Sequence, residues 1–331
     1  MKNTVNIEFD ALSENQLRQY IDCDRVFGAW GRAQGELQSV RGSMRWRQLR
    51  GKNTLLQISP RGAQKVIGRD DAQGQAIFKN FMERKTSVEA RYRDLSQALN
   101  EQRRMNKALQ VGRVPVVVVN ILNALREAGL SEHILTVGTH ALFAYEAASG
   151  VRIRQAAMAT QDVDLFFDAR QHISFFSKMQ KDGQSLIEIL KKADPTFEVM
   201  QDQKQTAVNS KGFEVDVLRR VARDGDPHPL RMSPKQGGIQ NNFQDELWAV
   251  QIPTTELIES AQHFDQTVVA TTGAMATLRT IDPVSFATLK RKIASDPQRS
   301  PLKRPKDLLQ AAIVESLVAQ FLPQWVPKTT A

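Results

Sequence analysis

Two short runs in the middle of the chain combine acidic side chains with the pattern of a buried strand. In Asp162-Val163-Asp164-Leu165-Phe166-Phe167 and in Phe213-Glu214-Val215-Asp216-Val217-Leu218, carboxylates alternate with apolar residues. A period of two marks a β-strand, whose side chains point to opposite faces in turn. Asp162 and Asp164 are therefore expected on one face, with Val163 and Leu165 entering a core on the other. Glu214 and Asp216 repeat the arrangement on a second strand. Adjacent carboxylates repel, a cation offsets the repulsion, and oxygen-only ligands suit Mg²⁺ or Mn²⁺. Three carboxylates from two neighbouring strands can hold two ions roughly 3.5–4 Å apart, a spacing that serves an attacking and a leaving oxygen together. Asp162, Asp164 and Asp216 are the expected metal-binding and catalytic residues, with Glu214 the alternative to Asp216.

Gly138-Thr139 stands between an expected strand, His133–Val137, and an expected helix, Thr139–Ala148. A glycine there lets the chain turn and bring backbone N–H groups close to a ligand. The start of a helix adds partial positive charge, so the turn suits phosphate groups, and the Thr139 hydroxyl offers one more hydrogen bond.

The 331 residues accommodate one large domain or two ordinary ones. A formal charge of +9 favours polyanionic partners. Cys23 is the lone cysteine, which excludes an intrachain disulfide framework, and the five histidines are scattered. Met1–Asp10 lacks the long apolar core of a signal peptide. The most apolar run, Val114–Leu125, is too short to span a bilayer and is interrupted by Asn120 and Asn123. A cytoplasmic protein with no membrane partner is the expectation.

Along the chain, Asp10–Gln38 reads as a helix that buries Leu12, Leu17, Tyr20, Val26, Phe27 and Trp30. Met44–Leu49 and Thr54–Ile58 read as a hairpin around Gly51-Lys52-Asn53. The stripe Ile77, Phe81, Val88, Tyr92, Leu95, Leu99 predicts a helix over Gln75–Gln110. Val111–Pro115 is a boundary, with Gly112 and Pro115 as helix punctuation. Beyond it the expected elements are a helix at Val116–Ala128, strands at Val151–Arg154, Phe197–Met200 and Thr206–Val208, and one long helix at Ile173–Lys192. Arg223–Asn242 is a loop, and helices follow at Pro283–Ala294 and Lys306–Phe321. The expected regions are a basic, mainly helical 1–112 with a small hairpin, a core at 113–252 and a helical 253–331.

The order strand, Gly-Thr, helix, Asp-x-Asp strand, later Asp strand resembles the DNA-polymerase-β-like nucleotidyltransferases. Gly138-Thr139-His140-Ala141-Leu142, Ala144-Tyr145-Glu146 and Ala159–Leu165 look more closely like a bacterial nucleotidyltransferase-fold family. That likeness extends to Asn106-Lys107-Ala108, Gly112–Pro115, Pro283, Phe286, Lys290 and Lys306-Asp307. The family is similar in turn to abortive-infection-type nucleotidyltransferase toxins, which carry a late Lys on one helix and a Lys-Asp pair on the next. Two departures stand out: Gly-Thr replaces the commoner Gly-Ser, and the gap from Gly138 to Asp162 is long.

The resemblance implies an α+β fold, with a polymerase-β-like core of mixed sheet and flanking helices between a mainly helical N-terminal region and C-terminal helices. It implies transfer of an NMP from an NTP to an acceptor hydroxyl with release of pyrophosphate, using two Mg²⁺ or Mn²⁺ ions. Gly138, Thr139, Lys290 and Lys306 would bind the nucleotide. Lys290 also reads as an exposed helix charge, and Arg152 and Arg154 as surface cations that can reach phosphate. The basic N-terminal third favours RNA, tRNA above all, as acceptor, and Arg45, Trp46, Arg47 and Arg50 mix cations with an aromatic ring, as nucleic-acid surfaces do. The alternatives are a protein-nucleotidylating enzyme, a toxin–antitoxin or phage-defence component with a regulatory protein partner, and a non-catalytic RNA-binding protein on the same scaffold.

Overall fold

The computed structural model describes residues 7–326 apart from 155–156, 169, 171, 225, 235–245 and 254. The chain divides into two compact units, Arg18–Leu109 and the remainder, Met1–Leu17 with Gln110–Ala331. Strand β1 (Phe9–Ala11) belongs to the larger unit, and helix α1 (Glu14–Ser39) leads into the smaller one.

The smaller unit is an antiparallel helical hairpin with a sheet at its tip. After α1 come β2 (Ser43–Leu49), β3 (Lys52–Ile58) and β4 (Gln64–Arg69), then α2 (Ala72–Ala108). On α1 the buried residues Cys23, Phe27, Trp30 and Ala33 recur at helical spacing. Trp30 stacks on Phe27 and on Tyr92 of α2, at centroid distances of 6.0 and 6.2 Å. Leu17, expected inside, is exposed. Gln19 is inside instead, because its amide donates to Gln102 at 2.7 Å and Asn106 at 2.9 Å, which removes the cost of burying it. The β2–β3 turn is Arg50-Gly51, both with left-handed φ, one residue earlier than the sequence predicts. Strand β4, unmarked by any alternation in the sequence, completes the meander.

The larger unit continues with α3 (Val116–Glu127), β5 (Ile134–Val137), a 3₁₀ turn at Gly138–Ala141, α4 (Leu142–Ser149), β6 (Val151–Ile153) and β7 (Asp162–Phe167). Then come α5 (His172–Asp182), α6 (Leu186–Ala193), β8 (Glu198–Val199), β9 (Thr206–Val208), β10 (Glu214–Arg219), β11 (Leu230–Arg231) and β12 (Trp248–Gln251). The last elements are α7 (Glu256–Ser260), β13 (His263–Val269), β14 (Met275–Ile281), α8 (Pro283–Ser295) and α9 (Arg304–Phe321). The expected single helix at Ile173–Lys192 is two, because Gly183 takes a left-handed φ of 64° and Ser185 opens α6 with a capping box. The hairpin β13–β14 was not legible, since its residues lack a clean apolar–polar alternation.

The central sheet is mixed, running β11-β12-β10-β7-β5 with β9 and β8 added beside β10. β7 and β10 are parallel neighbours, while β5 runs antiparallel to β7. Val163, Leu165, Phe167, Val215 and Val217 share one face and join the apolar residues of α5 and α6 in one core. A second core gathers Val137 and Phe166 with residues of α4, β13, β14, α8 and α9. The faces that carry Asp162, Asp164 and Asp216 are thus opposite to the valines, as the alternation requires. Helix and mixed sheet together make an α+β fold.

A buried ion pair ties the start of this unit to the helix before the site. Arg113 donates through Nε to Glu146 at 2.9 Å and through Nη2 to the second Glu146 oxygen, and it also reaches the Ile153 carbonyl. The Ile153 N–H donates to Glu146 at 2.9 Å. Burial raises the pKa of Glu146, and Arg113 opposes the shift. Replacing Glu146 with Ala strands the guanidinium and the N–H together. The expected cost is about 3 kcal/mol in urea unfolding; a loss below about 1 kcal/mol would refute this role for the pair.

Candidate active site

The parallel register of β7 and β10 sets Asp164 opposite Asp216 and Asp162 opposite Glu214. Asp162, Asp164 and Asp216, all half-buried, present carboxylate oxygens that lie within 4.8 Å of one another. Glu214 is not part of this group, although it shares the face of Asp216. Thr160 donates to Asp162, and Thr206, paired with Asp216 across β9–β10, donates to Asp216 at 2.6 Å.

The electrostatics of the cluster are those of crowded anions. Burial, then Asp162 and Asp216, push the pKa of Asp164 from 3.8 to about 7, with Lys290 and Lys303 pulling the other way. Burial also raises Asp216, opposed by the Thr206 hydrogen bond. The donor set is all oxygen and is short of positive charge, so it fits a hard divalent cation.

Gly138 is indispensable here. Its φ is +68°, and a Cβ on it would stand 2.0 Å from Oδ2 of Asp164. The glycine that permits the turn also permits the carboxylate to lie against the chain. The neighbouring Thr139 is buried, and its hydroxyl oxygen accepts from the Gln310 amide at 3.1 Å. That amide also donates to the Ala157 carbonyl at 2.9 Å. His140 lies buried between Phe143 and Phe213. Burial lowers its pKa to about 4 against the pull of Asp162, so the ring is neutral at pH 7.

The two late helices bring cations to the same place. Lys290, read from the sequence either as a nucleotide contact or as an exposed charge, is buried and forms a 2.9 Å ion pair with Asp307. Arg299 holds the other Asp307 oxygen at 2.7 Å. Lys306 donates to the Ala159 carbonyl at 2.8 Å, and burial lowers its pKa while Asp162 raises it. A cavity of about 410 Å³ opens beside the cluster. Gly138, Asp164, Lys290 and Arg299 line it, with apolar walls that include Ile252, Ile281 and Phe286.

The structure therefore gathers Gly138, Thr139, Asp162, Asp164, Asp216, Lys290 and Lys306. It does not gather Arg152 and Arg154. Arg154 pairs with Glu8 at 2.6 Å and with Asp10, and Arg152 donates to the Gln110 carbonyl. Sequence reasoning missed Thr206, Gln310, Lys303 and Arg299. Thr206 is fixed by cross-strand register, which a single sequence does not print. Gln310 lies one helical turn after Lys306, and that spacing was the available signal.

An α+β fold with a carboxylate cluster at the ends of two parallel strands, a glycine turn and a cation-lined cavity has the parts of a metal-dependent phosphoryl-transfer enzyme. A family model for nucleotidyltransferases matches residues 117–330, and the chain belongs to that family. It is an enzyme that transfers nucleotidyl groups. No curated protein and no solved structure matches the chain. Among the described residues, no helix is long and apolar enough to cross a membrane.

Because the folded state holds the Asp164 proton more tightly than the unfolded chain, metal-free protein loses stability as pH rises from 3.8 through about 7. In EDTA at pH 8, Asp164→Asn is expected to raise Tm by several degrees and to flatten this pH dependence. An unchanged or lowered Tm would show that the carboxylates are not in conflict. Gly138→Ala is expected to destabilise the protein in the same buffer by about 2 kcal/mol or more, through strain and displacement, seen as a lower Tm.

Proposed function

We propose that the chain transfers a nucleoside monophosphate from an NTP to a hydroxyl of RNA, tRNA foremost, on a polymerase-β-like core, releasing pyrophosphate. The observation that carries the proposal is the convergence of Asp162, Asp164 and Asp216 next to the Gly138 turn and the cavity.

In this reading the acceptor oxygen attacks the α-phosphorus in line, and the bond from that phosphorus to the pyrophosphate oxygen breaks. Asp162, Asp164 and Asp216 would hold two divalent ions, Mg²⁺ or Mn²⁺, whose charge would make the hydroxyl more acidic and offset that of the leaving pyrophosphate. Asp216 would help to accept the proton of the attacking hydroxyl. The Gly138 backbone and the Thr139 hydroxyl hold the β- and γ-phosphates. Gln310 donates to the Thr139 oxygen, which leaves the Thr139 hydrogen to point at phosphate. Lys290 and Lys306 balance the triphosphate charge, and Asp307 keeps Lys290 in its place against the cavity. His140, within the turn, is buried against Phe143 and Phe213 and neutral, adding no charge at pH 7. The net charge of +9 supports a polyanionic acceptor.

The test supplies each α-labelled NTP in turn, with Mg²⁺ or Mn²⁺ and total cellular RNA and protein as acceptors. Label is expected in RNA, with one base preferred. Asp164→Ala and Asp216→Ala are expected to reduce incorporation by at least about 10³-fold, and Glu214→Gln by far less. Label in protein would replace the RNA acceptor, and full activity in Asp164→Ala would remove the carboxylate assignment.

A further inference from the structure

The net positive charge of this protein comes from one unit. Arg18–Leu109 carries 19 Lys and Arg against 9 Asp and Glu, a net +10, while the whole chain is +9. The unit that contains the carboxylate cluster is close to neutral. Of those 19 cations 14 are arginines, the side chain that grips phosphate through a planar, two-pronged set of donors.

The sheet at the tip of the helical hairpin sorts its residues by face. Trp46, Leu55 and Gly68 pair across the three strands, and the Trp46 ring meets Phe78 of α2 at 6.0 Å. That face is the covered one. Arg47, Thr54 and Arg69 form the adjoining row, which by alternation points the other way. Arg45, two residues along β2 from Arg47, lies on the same outward face. Arg45, Arg47 and Arg69 are all exposed, and none forms an ion pair among the described residues. The nearby acids are occupied: Asp70 accepts from Asn53 and Gln75, and Asp71 caps α2 through the Gly74 N–H.

We propose that the outward face of the β2–β3–β4 sheet, through Arg45, Arg47 and Arg69, is the docking surface for the sugar–phosphate backbone of RNA. The inference rests on the RNA acceptor proposed above and names the surface that holds it. The face offers cations without an aromatic ring, because Trp46 is turned to the helix. It therefore holds backbone rather than stacking bases, and its affinity is strongly salt-dependent and indifferent to sequence. A surface for bilayers would add a band of large apolar side chains to the charge. Here the large apolar residue most exposed on this face is Val66.

The experiment measures binding of full-length protein to fluorescein-labelled tRNA by anisotropy, over a range of KCl concentrations. Arg45→Ala, Arg47→Ala and Arg69→Ala combined should weaken binding about tenfold or more at 0.1 M KCl. They should also lower the slope of log K against log salt by about 2. The corresponding Arg→Lys triple should keep the slope, and a matched control, Lys191→Ala, Lys192→Ala and Lys211→Ala, should bind as the parent does. Equal Tm values for the variants exclude misfolding as the cause. An unchanged affinity in the arginine triple, or an equal loss in the control, overturns the proposal. So does stronger binding of the parent to phosphatidylserine vesicles than to tRNA at equal phosphate concentration. If arginine-dependent RNA binding holds but labelled nucleotide never enters RNA, the surface stands and RNA as the acceptor falls.

Discussion

Three carboxylates held close together are the constraint around which the larger unit is arranged. Parallel pairing of β7 with β10 sets Asp164 directly opposite Asp216, about 4.8 Å away across the sheet. Such a pair would drive the strands apart without anchorage on the reverse side. Val163, Leu165, Phe167, Val215 and Val217 supply it, each almost completely shut off from solvent. On the acidic face, Thr160 and Thr206 each donate to one carboxylate, and the missing Cβ of Gly138 leaves room for a third. What these contacts leave uncompensated appears in the raised pKa of Asp164. Strain of this kind marks functional sites, because a site built to bind cations is unfavourable without them.

The cations follow the same logic in reverse. Lys290, which is buried, and the half-buried Arg299 would repel each other. Asp307, itself 2% exposed, accepts from both and makes the arrangement tolerable. One carboxylate cannot neutralise two cations, so the group keeps a net positive charge against the cavity wall. The site thus contains a negative cluster and a positive one, both short of a counter-charge. A divalent cation bound together with an anionic substrate would supply both signs at once.

Legibility in the sequence followed the range of the interactions. The two acidic strands, the Gly138 turn and the long helix α2 were readable because alternation, a glycine and a 3.6-residue stripe are local patterns. The third carboxylate stayed open between Glu214 and Asp216, since both share a face; in the fold Asp216 is the one grouped with Asp162 and Asp164. Gln310 reaches Thr139 across 171 positions of sequence, so its one-turn spacing from Lys306 marks its helix face but not its partner. The β13–β14 hairpin was missed because it is packed on both sides, which erases alternation. The split at Gly183 was missed for the opposite reason. A glycine inside an amphipathic run is often tolerated, and only the left-handed φ ends the helix here.

The charge division between the units has a physical motive in the carboxylate cluster. Asp162, Asp164 and Asp216 repel any polyanionic acceptor, and Lys290, Arg299 and Lys306 are committed to Asp307 and to the Ala159 carbonyl. Added surface arginines near the cluster would pair with those same carboxylates. Long-range attraction is better supplied by residues that have no other partner. In Arg18–Leu109 the core of the hairpin is held by the stacked Phe27, Trp30 and Tyr92 and by amides at Gln19 and Asn106. None of those contacts consumes a cation. A core assembled from rings and amides leaves arginines such as Arg45 and Arg69 on the solvent side, where a screened field acts over about 8 Å at physiological salt.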